Sequence, residues 1–207
     1  MTYRELAVPG AWEITPKQLG DPRGVFLEYF QSAPFRQAVG HEFTLAQANC
    51  SVSAAGVVRG IHFADVPPGQ AKYVTCARGA VWDVAVDIRV GSPTFGRWDA
   101  VLLDDVDRRA MYLSEGLGHA FISLEDESTV LYLCSTAYAP GREHSVHAFD
   151  ESIGIAWPTE ARDGSPITPA LSEKDLAAPA LAEAANQGML PRHDEAMRYV
   201  ASLSAGA

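Results

Sequence analysis

Four ionisable side chains, His62, Lys72, His119 and Tyr132, lie beside apolar residues in short segments that look like buried strands. Burying such groups is costly unless a partner or a function compensates for it. Histidine exchanges protons near neutral pH and tyrosine can deliver one, so this set could catalyse proton transfer. Taken singly, each residue also has a structural explanation, such as a half-buried histidine or a lysine solvated at the start of a strand.

A metal centre is the first alternative that the histidines raise. Metal-binding cupin sandwiches have a paired His-x-His and a nearby Glu, followed by a further His on a later strand. The positions two before and two after His62 are Gly and Ala, so no such pair exists. His144 and His147 are three residues apart but follow Pro140–Gly141, which indicates a loop. The sequence therefore predicts no bound metal.

The composition excludes several classes of function. Of the 207 residues, 47% are hydrophobic and 20% are charged, which is typical of a folded globular protein. The formal net charge of -10 disfavours nucleic-acid binding, because that needs basic residues to neutralise phosphates. No run of about 18 apolar residues and no secretory leader occur, so we expect no membrane contact and a cytoplasmic location. Three cysteines without CxxC spacing predict neither a disulfide framework nor a zinc site.

Residues 10–157 show the two-residue periodicity of β-strands. The even positions from Ala80 to Val90 are apolar, whereas the odd positions include Asp83, Asp87 and Arg89, which predicts one buried and one polar face. Gly- and Pro-containing turns separate similar stretches at Val25–Phe30, Phe43–Val52, Val57–Phe63, Lys72–Ala77, Trp98–Leu103, Ala110–Leu113, Ala120–Leu124 and Thr129–Ala137. Many short strands between such turns predict an all-β sandwich or barrel.

The composition changes after the last of these segments. We predict a core at residues 1–158 and, in the same domain, a segment at 159–207 whose linker and short helices pack on that core. Ser172 is placed to cap the start of a helix, with Asp175 three residues further on. A second C-terminal helix is predicted over 192–203.

Several segments resemble the dTDP-4-dehydrorhamnose 3,5-epimerase family, in order and with similar spacing, from about residue 3 to residue 181. They are DPRGVFLE at 21–28, GVVRGIHF at 56–63, GQAK at 69–72, DIR at 87–89, SPTFG at 92–96, EGLGHAF at 115–121, IAWP at 155–158 and LSEKD at 171–175. The Pro67–Lys72 turn is similar to that of family members from antibiotic deoxysugar pathways. Ser114 departs from the family, which usually has Pro before Glu-Gly.

The resemblance implies a cupin-type jelly-roll β-sandwich that forms a homodimer and epimerises a dTDP-4-keto-6-deoxyhexose without a cofactor. The C–H bonds at C3 and C5 of such a sugar are acidic because both carbons adjoin the C4 ketone. Inverting one needs a base on one face, an acid on the other and a cation near the C4 oxygen. The resemblance assigns His62 as the base, Tyr132 as the acid and Lys72 as the cation, with Asp175 orienting His62.

Two features of this assignment depend on the fold. Asp175 could be only a helix-capping carboxylate, and it can also serve His62 only if the helix start contacts the His62 strand. Arg59 and His62 have opposite parity on one strand, so either a bulge separates them or Arg59 serves a neighbouring subunit. The resemblance places a further set around the nucleotide and diphosphate, with Tyr138 stacking on the base: Arg23, Glu28, Gln47, Asn49, Arg59, His119, Glu143 and Lys174.

Three alternatives to epimerisation at both carbons remain. They are a C3-only epimerase, a sugar 3,4-ketoisomerase and a non-catalytic module that binds nucleotide sugars. The combined presence of His62, Tyr132, Lys72 and Asp175 disfavours the last two. We expect inversion at both C3 and C5, although changes in wall residues near Phe26, Phe63 and Phe121 could restrict it to C3.

Overall fold

Thirteen strands and four helices are present within residues 1–205, the part of the chain that this computed structural model describes. The strands are β1 (Thr2–Glu5), β2 (Ala11–Thr15), β3 (Gln18–Asp21), β4 (Gly24–Leu27), β5 (Gln47–Ser53), β6 (Val58–Ala64), β7 (Lys72–Arg78), β8 (Ala80–Val86), β9 (Trp98–Asp104), β10 (Ala110–Leu113), β11 (Gly118–Ser123), β12 (Ser128–Cys134) and β13 (Glu143–Ser145). The helices are α1 (Ser32–Val39), α2 (Glu173–Leu176), α3 (Leu181–Asn186) and α4 (His193–Ala205).

Two antiparallel sheets pack face to face. The larger sheet has the order β1-β2-β10-β7-β12-β5 and the smaller has the order β13-β6-β11-β8-β9. From β5 onward the chain passes repeatedly from one sheet to the other, as in a jelly roll, so the predicted all-β, cupin-type sandwich is confirmed. Strands β3 and β4 form a separate two-stranded hairpin.

The space between the sheets is apolar over most of its length. Alternate residues of each strand face inward, and the fully enclosed ones include Val74, Cys76, Val81, Ala85, Val101, Leu103, Met111, Leu113, Phe121 and Val130. Lys72 shares the parity of Val74, and Tyr132 shares that of Val130. The same alternation that builds the core therefore turns these two polar side chains toward the interior at one end of the sandwich.

The C-terminal third of the chain covers the outer face of the smaller sheet. Ile61, Val84 and Ala120 pack in one buried cluster with residues that follow the last strand, including Leu181 and Leu190. Ser172 accepts a hydrogen bond from the Asp175 amide, which confirms the predicted cap, and α4 corresponds to the helix predicted over 192–203. The last two residues of the predicted 159–207 segment lie outside the described residues.

The predicted polar face of the 80–90 segment is wrong. Asp83, Asp87 and Arg89 are all buried. Asp83 shares the parity of Val81 and Ala85 and faces the larger sheet, while the apolar even positions face outward and are covered by the C-terminal segment. Arg89 donates two hydrogen bonds of 2.8 Å to the Asp87 carboxylate beyond the end of β8. Burial tends to raise the pKa of Asp87, but the bonds from Arg89, Ser92 and Thr94 lower it overall.

Two helices were not predicted. Helix α1 follows the hairpin, and its Phe35 packs on the outer face of the larger sheet against Tyr73 and Tyr112. Helix α3 follows Pro179 and presents only two buried side chains to the smaller sheet. Both are too short for a helical apolar stripe to be distinguished from the alternation around them.

A bulge interrupts the pairing of β6 with β11. His62 pairs with His119 and Arg59 pairs with Phe121, so Gly60 and Ile61 together oppose one residue of β11. The extra residue brings Arg59 and His62 to the same inner face, which selects the first of the two predicted explanations. Gly60 has a φ of 117°, and a Cβ there would lie 2.5 Å from the His119 carbonyl oxygen. Only glycine fits this position.

We expect Gly60→Ala to lower the free energy of unfolding by about 1–3 kcal/mol or more, because the added methyl group meets backbone that cannot move aside. Gly20→Ala is the matched control, since its nearest neighbouring atom would lie 3.9 Å away. Urea unfolding of both variants tests this, and equal midpoints for the two would contradict the bulge geometry.

Candidate active site

The four candidate catalytic side chains occupy the polar end of the space between the sheets. His62 and His119 are register partners on neighbouring strands of the smaller sheet. Lys72 pairs with Cys134 on the larger sheet, two positions from Tyr132 along β12. The candidate base and the candidate acid therefore lie on facing sheets, as inversion of a carbon requires, and the space between these strand ends is called the cleft below.

His62 is bound to the start of helix α2. Its Nε2 lies 2.7 Å from Oδ1 of Asp175, whose residue is only 4% exposed. An ionised carboxylate only accepts hydrogen bonds, so Nε2 carries the proton and Nδ1 keeps the lone pair that can take another. The geometry makes both predicted roles of Asp175 compatible: its amide is capped by Ser172 while its carboxylate reaches His62.

The Asp175 carboxylate is held in its ionised form. Burial alone would raise its pKa, but the hydrogen bond and electrostatic attraction of the His62 ring, together with donors from Ser172 and the Gly60 amide, lower the pKa below 3.8. A permanent negative charge at this place orients the imidazole and stabilises it once protonated.

A second histidine–carboxylate pair lies deeper in the cleft. Nε2 of His119 is 2.7 Å from Oδ1 of Asp83, and both side chains are almost fully enclosed. Among the described residues, Oδ2 of Asp83 has no hydrogen-bond partner. Asp83 was missed as a site residue because its odd position assigned it to a solvated face. The signal that could have found it is the one that identified His62, an ionisable group within an apolar strand.

The Lys72 ammonium lies among negative or polarisable groups. Burial lowers the pKa of Lys72, whereas the charges of Cys134, Glu143 and Asp83 oppose that effect. Within residues 1–205 its Nζ forms no side-chain hydrogen bond or ion pair, so its three donors are available to a bound molecule. Burial also raises the pKa of Tyr132, which keeps the phenol protonated at neutral pH.

Strand β5 supplies the polar rim beside Tyr132. Asn49 is the register partner of Tyr132, and its side-chain oxygen accepts a 2.8 Å hydrogen bond from Gln47. Oε1 of Gln47, on the same rim, accepts a 2.9 Å hydrogen bond from the backbone amide of Tyr138. Tyr138 lies beyond the end of β12 and its ring is exposed, so it can cover a flat group bound at the rim.

Further predicted binding residues border this cleft. An open recess of about 350 Å³ beside His62 includes Arg59 and Lys174. Arg59 donates a 3.2 Å hydrogen bond to Ser53 and leaves its other donors free to reach the recess. Glu143 accepts a weak 3.4 Å hydrogen bond from the Ala139 amide, near the loop that carries Tyr138.

Two predicted binding residues are not brought to this cleft. Arg23 and Glu28 lie on and just after the β3–β4 hairpin, and neither borders the recess beside His62. The Arg23 side chain is 89% exposed and pairs with Asp21 of its own turn. The hairpin also exposes Val25 and 65% of Phe26.

The predicted aromatic wall is only partly present in the single chain. Phe121 is buried on the inner face beside His119. Phe63 faces away from the cleft and packs against His144, because it is one residue from His62 on a strand. Phe26 lies on the exposed hairpin.

The described residues contain no cluster of side chains that could bind a metal ion. Among residues 1–205 no three His, Cys, Asp or Glu side chains are grouped as ligands of one ion. His144, one of the two loop histidines considered above, pairs instead with Asp65 at 2.8 Å.

No helix in the described part of the chain is long and apolar enough to cross a membrane.

Known proteins share both the sequence and the fold. A family model described as dTDP-4-dehydrorhamnose 3,5-epimerase matches residues 5–183. A dTDP-4-dehydrorhamnose 3,5-epimerase of Mycolicibacterium smegmatis is 59% identical, covering 98% of this chain and 97% of its own. A dTDP-4-dehydrorhamnose 3-epimerase of Streptomyces niveus is 56% identical, covering 93% and 90%.

Two solved structures are similar over nearly their whole length. The rmlC epimerase of Mycobacterium tuberculosis superimposes with a TM-score of 0.93 at 54% identity, covering 98% of this chain and 100% of its own. ChmJ, a 3'-monoepimerase from Streptomyces bikiniensis solved in complex with dTDP-quinovose, has a TM-score of 0.91 at 48% identity, covering 97% and 98%.

We expect Asp175→Asn to remove an acid-sensitive part of folding stability. The native pKa of Asp175 lies below its ordinary value of 3.8, so the ionised carboxylate stabilises the fold above that pH. This contribution is lost as the pH falls through the native pKa. The urea midpoint of the wild type should exceed that of the variant at pH 6, and the difference should shrink toward pH 3.

The matched control is Glu173→Gln, which removes an exposed carboxylate from the same helix. Its urea midpoint at pH 6 should differ from that of the wild type by less than the midpoint of Asp175→Asn does. A difference between Asp175→Asn and the wild type that stays constant from pH 6 to pH 3 would contradict the assigned pairing.

Proposed function

Because this chain belongs to the dTDP-4-dehydrorhamnose 3,5-epimerase family, we propose that it inverts C3 and C5 of a dTDP-4-keto-6-deoxyhexose through His62 and Tyr132. The chain is an isomerase of the epimerase type. The observation that carries the assignment of residues is the 2.7 Å contact of His62 with Asp175 on one wall of a cleft whose other wall holds Tyr132.

The first step is removal of a proton from a carbon next to the C4 ketone. The free Nδ1 of His62 takes the proton from C3, and the C–H electron pair moves into a C3–C4 double bond as the C4 oxygen becomes an enolate. Asp175 stabilises the resulting imidazolium. The free donors of Lys72 are placed to stabilise the enolate oxygen, which is where charge develops.

The second step returns a proton to the opposite face of the same carbon. The Tyr132 hydroxyl donates it, the ketone re-forms, and the configuration at C3 is inverted. The phenol is protonated at neutral pH and therefore holds the proton that it donates; burial raises its pKa, so the strongly basic enolate carbon drives this transfer. Solvent then takes the proton from His62 and restores that of Tyr132. No atom is oxidised or reduced, so the reaction needs no redox cofactor.

The nucleotide part of the substrate is assigned to the rim of the cleft. Arg59 and Lys174 border the recess beside His62, and a guanidinium with free donors suits a diphosphate. Tyr138 is exposed next to this rim and offers an aromatic face to a base. Local positive charge is needed here because the molecule as a whole is acidic.

A homodimer accounts for the residues that the single chain leaves outside the cleft. The β3–β4 hairpin exposes apolar side chains that a monomer would leave in water, Phe26 above all. We propose that the hairpin inserts at the cleft of a second copy, where Arg23 and Glu28 complete the nucleotide site. Such a contact is reciprocal in a two-fold dimer, so each copy would complete the other.

The proposal also has to state whether C3 alone or both C3 and C5 are inverted. Similar relatives carry names of both kinds, a 3,5-epimerase at 59% identity and a 3-epimerase at 56%. The second candidate is therefore a C3-only epimerase with the same acid and base. His62, Tyr132, Lys72 and Asp175 serve either candidate, and we favour inversion at both carbons because the matching family model and the relative at 59% identity are both described as 3,5-epimerases.

Proton NMR of dTDP-4-keto-6-deoxyglucose in deuterated buffer tests the reaction. We expect the wild type to introduce deuterium at both C3 and C5. His62→Asn should slow both exchanges by about 100- to 10,000-fold, because the base is gone, while dTDP binding stays nearly unchanged. His193→Asn, outside the cleft on α4, is the control. Exchange at C3 alone would identify a C3 epimerase, and near wild-type exchange by His62→Asn would refute the base.

Light scattering and mixed dimers test the hairpin. The wild type should have twice the mass of one chain, and Phe26→Asp should reduce it, whereas Met197→Asp, at an exposed apolar position on α4, should not. Co-expressing inactive Arg23→Ala and His62→Asn chains should restore about a quarter of the wild-type rate, since half the dimers are mixed and each has one intact site. No restoration by mixing would place Arg23 outside the partner's site.

A further inference from the structure

We propose that Glu115 is a positioning residue that holds the strand ends carrying Lys72 and Tyr132 in place for the reaction; this role rests on the proposed function. Glu115 lies in the turn between β10 and β11, four residues before His119. It is only 3% exposed and takes no part in the proton transfers described above. A buried carboxylate is costly, so its hydrogen bonds indicate what it is retained for.

The carboxylate ends a hydrogen-bond relay that crosses two strands. The Ala71 amide donates to Oγ of Ser135 at 2.8 Å, and the Ser135 hydroxyl in turn donates to Oε1 of Glu115 at 3.3 Å. Ala71 directly precedes Lys72, and Ser135 is three residues after Tyr132. The relay therefore fixes the end of β7 that begins with the candidate cation relative to the end of β12 that carries the candidate acid.

The second carboxylate oxygen is used as well. Oε2 accepts a 3.2 Å hydrogen bond from Ser114, the residue at which this sequence departs from the family's usual Pro. Ser114 and Glu115 connect β10, the other neighbour of β7, with β11, which carries His119. Three strands that contribute to the cleft are thus linked at one carboxylate.

The turn that leads into Lys72 closes directly over Glu115. Gly69 has a φ of 71°, and a Cβ at this position would lie 2.8 Å from the Cβ of Glu115. The Gly69 carbonyl accepts a 2.8 Å hydrogen bond from Thr136, which follows Ser135. A movement of Glu115 would therefore be transmitted to the backbone before Lys72.

The C-terminal helix lies beside this carboxylate. Tyr199 and Leu203 of α4 border a recess of about 190 Å³ that also includes His41 and Glu115. Burial raises the pKa of Glu115, while the charge of His41 and the serine donors only partly oppose that rise. Helix α4 thus contributes to the burial of the linking carboxylate, and hydrogen bonds in such an enclosed place are strong.

The test uses Glu115→Leu, Ser135→Ala and their combination, with the deuterium-exchange rate as the readout. Each single variant should lower kcat by about ten- to 100-fold, because small misplacements of catalytic groups have effects of that size. KM for the nucleotide sugar should change by less than about threefold, since the nucleotide contacts lie elsewhere. Glu115→Gln, which keeps an acceptor oxygen, should retain most of the activity.

The double variant separates positioning from mere packing. If Glu115 acts through Ser135, the combination should be no slower than the slower single variant, because both break the same relay. Ser123→Ala removes a buried serine hydroxyl at the other end of β11, where it donates to the Glu125 carbonyl, and it should leave kcat unchanged. Should Glu115→Leu fail to fold, Ser135→Ala alone must still show the loss of kcat.

Wild-type kcat in folded Ser135→Ala, or effects that multiply in the double variant, would overturn the positioning role while the wild type remains active. A wild type that exchanges no deuterium would instead refute the proposed function, and this role with it.

Discussion

The hydrogen bond between His62 and Asp175 connects the smaller sheet with the C-terminal segment, 113 residues further along the chain. Its formation requires the Gly60 bulge, which turns His62 inward beside Arg59. It also requires the Ser172 cap, which fixes the start of α2. In return, the ionised Asp175 selects the ring nitrogen that is left free for chemistry. Fold and chemistry therefore depend on the same short contact.

The inner faces of the two sheets form an apolar core over most of their length and a polar site at one end. Over most of their length they form a dry, close-packed core, and this rigidity keeps the walls of the cleft at a fixed separation. At the polar end, Asp83 is paired with His119 and Glu115 with Ser135, whereas the Lys72 ammonium has no such partner among the described residues. Pairing lowers the cost of burial and leaves the Lys72 ammonium free for a ligand.

Much of the fold and part of the site could be predicted from the sequence. The two-residue alternation located most strands, and the Ser172 cap signal placed α2, because both depend on local chemistry. The burial of Asp83 could not be predicted, because alternation alone does not show that the face it shares with Val81 and Ala85 packs against the second sheet while a distant C-terminal segment covers the other face. Likewise, parity alone could not place Arg59, because a bulge shifts the alternation by one residue.

A crystal structure of the His62→Asn variant with dTDP-4-keto-6-deoxyglucose bound would show how the sugar lies between the acid and the base, because the base is gone and the substrate stays intact. We expect the sugar ring between the two sheets, with one face of C3 toward position 62 and the opposite face toward the Tyr132 hydroxyl. The C4 oxygen should lie within hydrogen-bond distance of Lys72 Nζ. A sugar bound outside this cleft, or with position 62 and Tyr132 on the same face of C3, would contradict this arrangement.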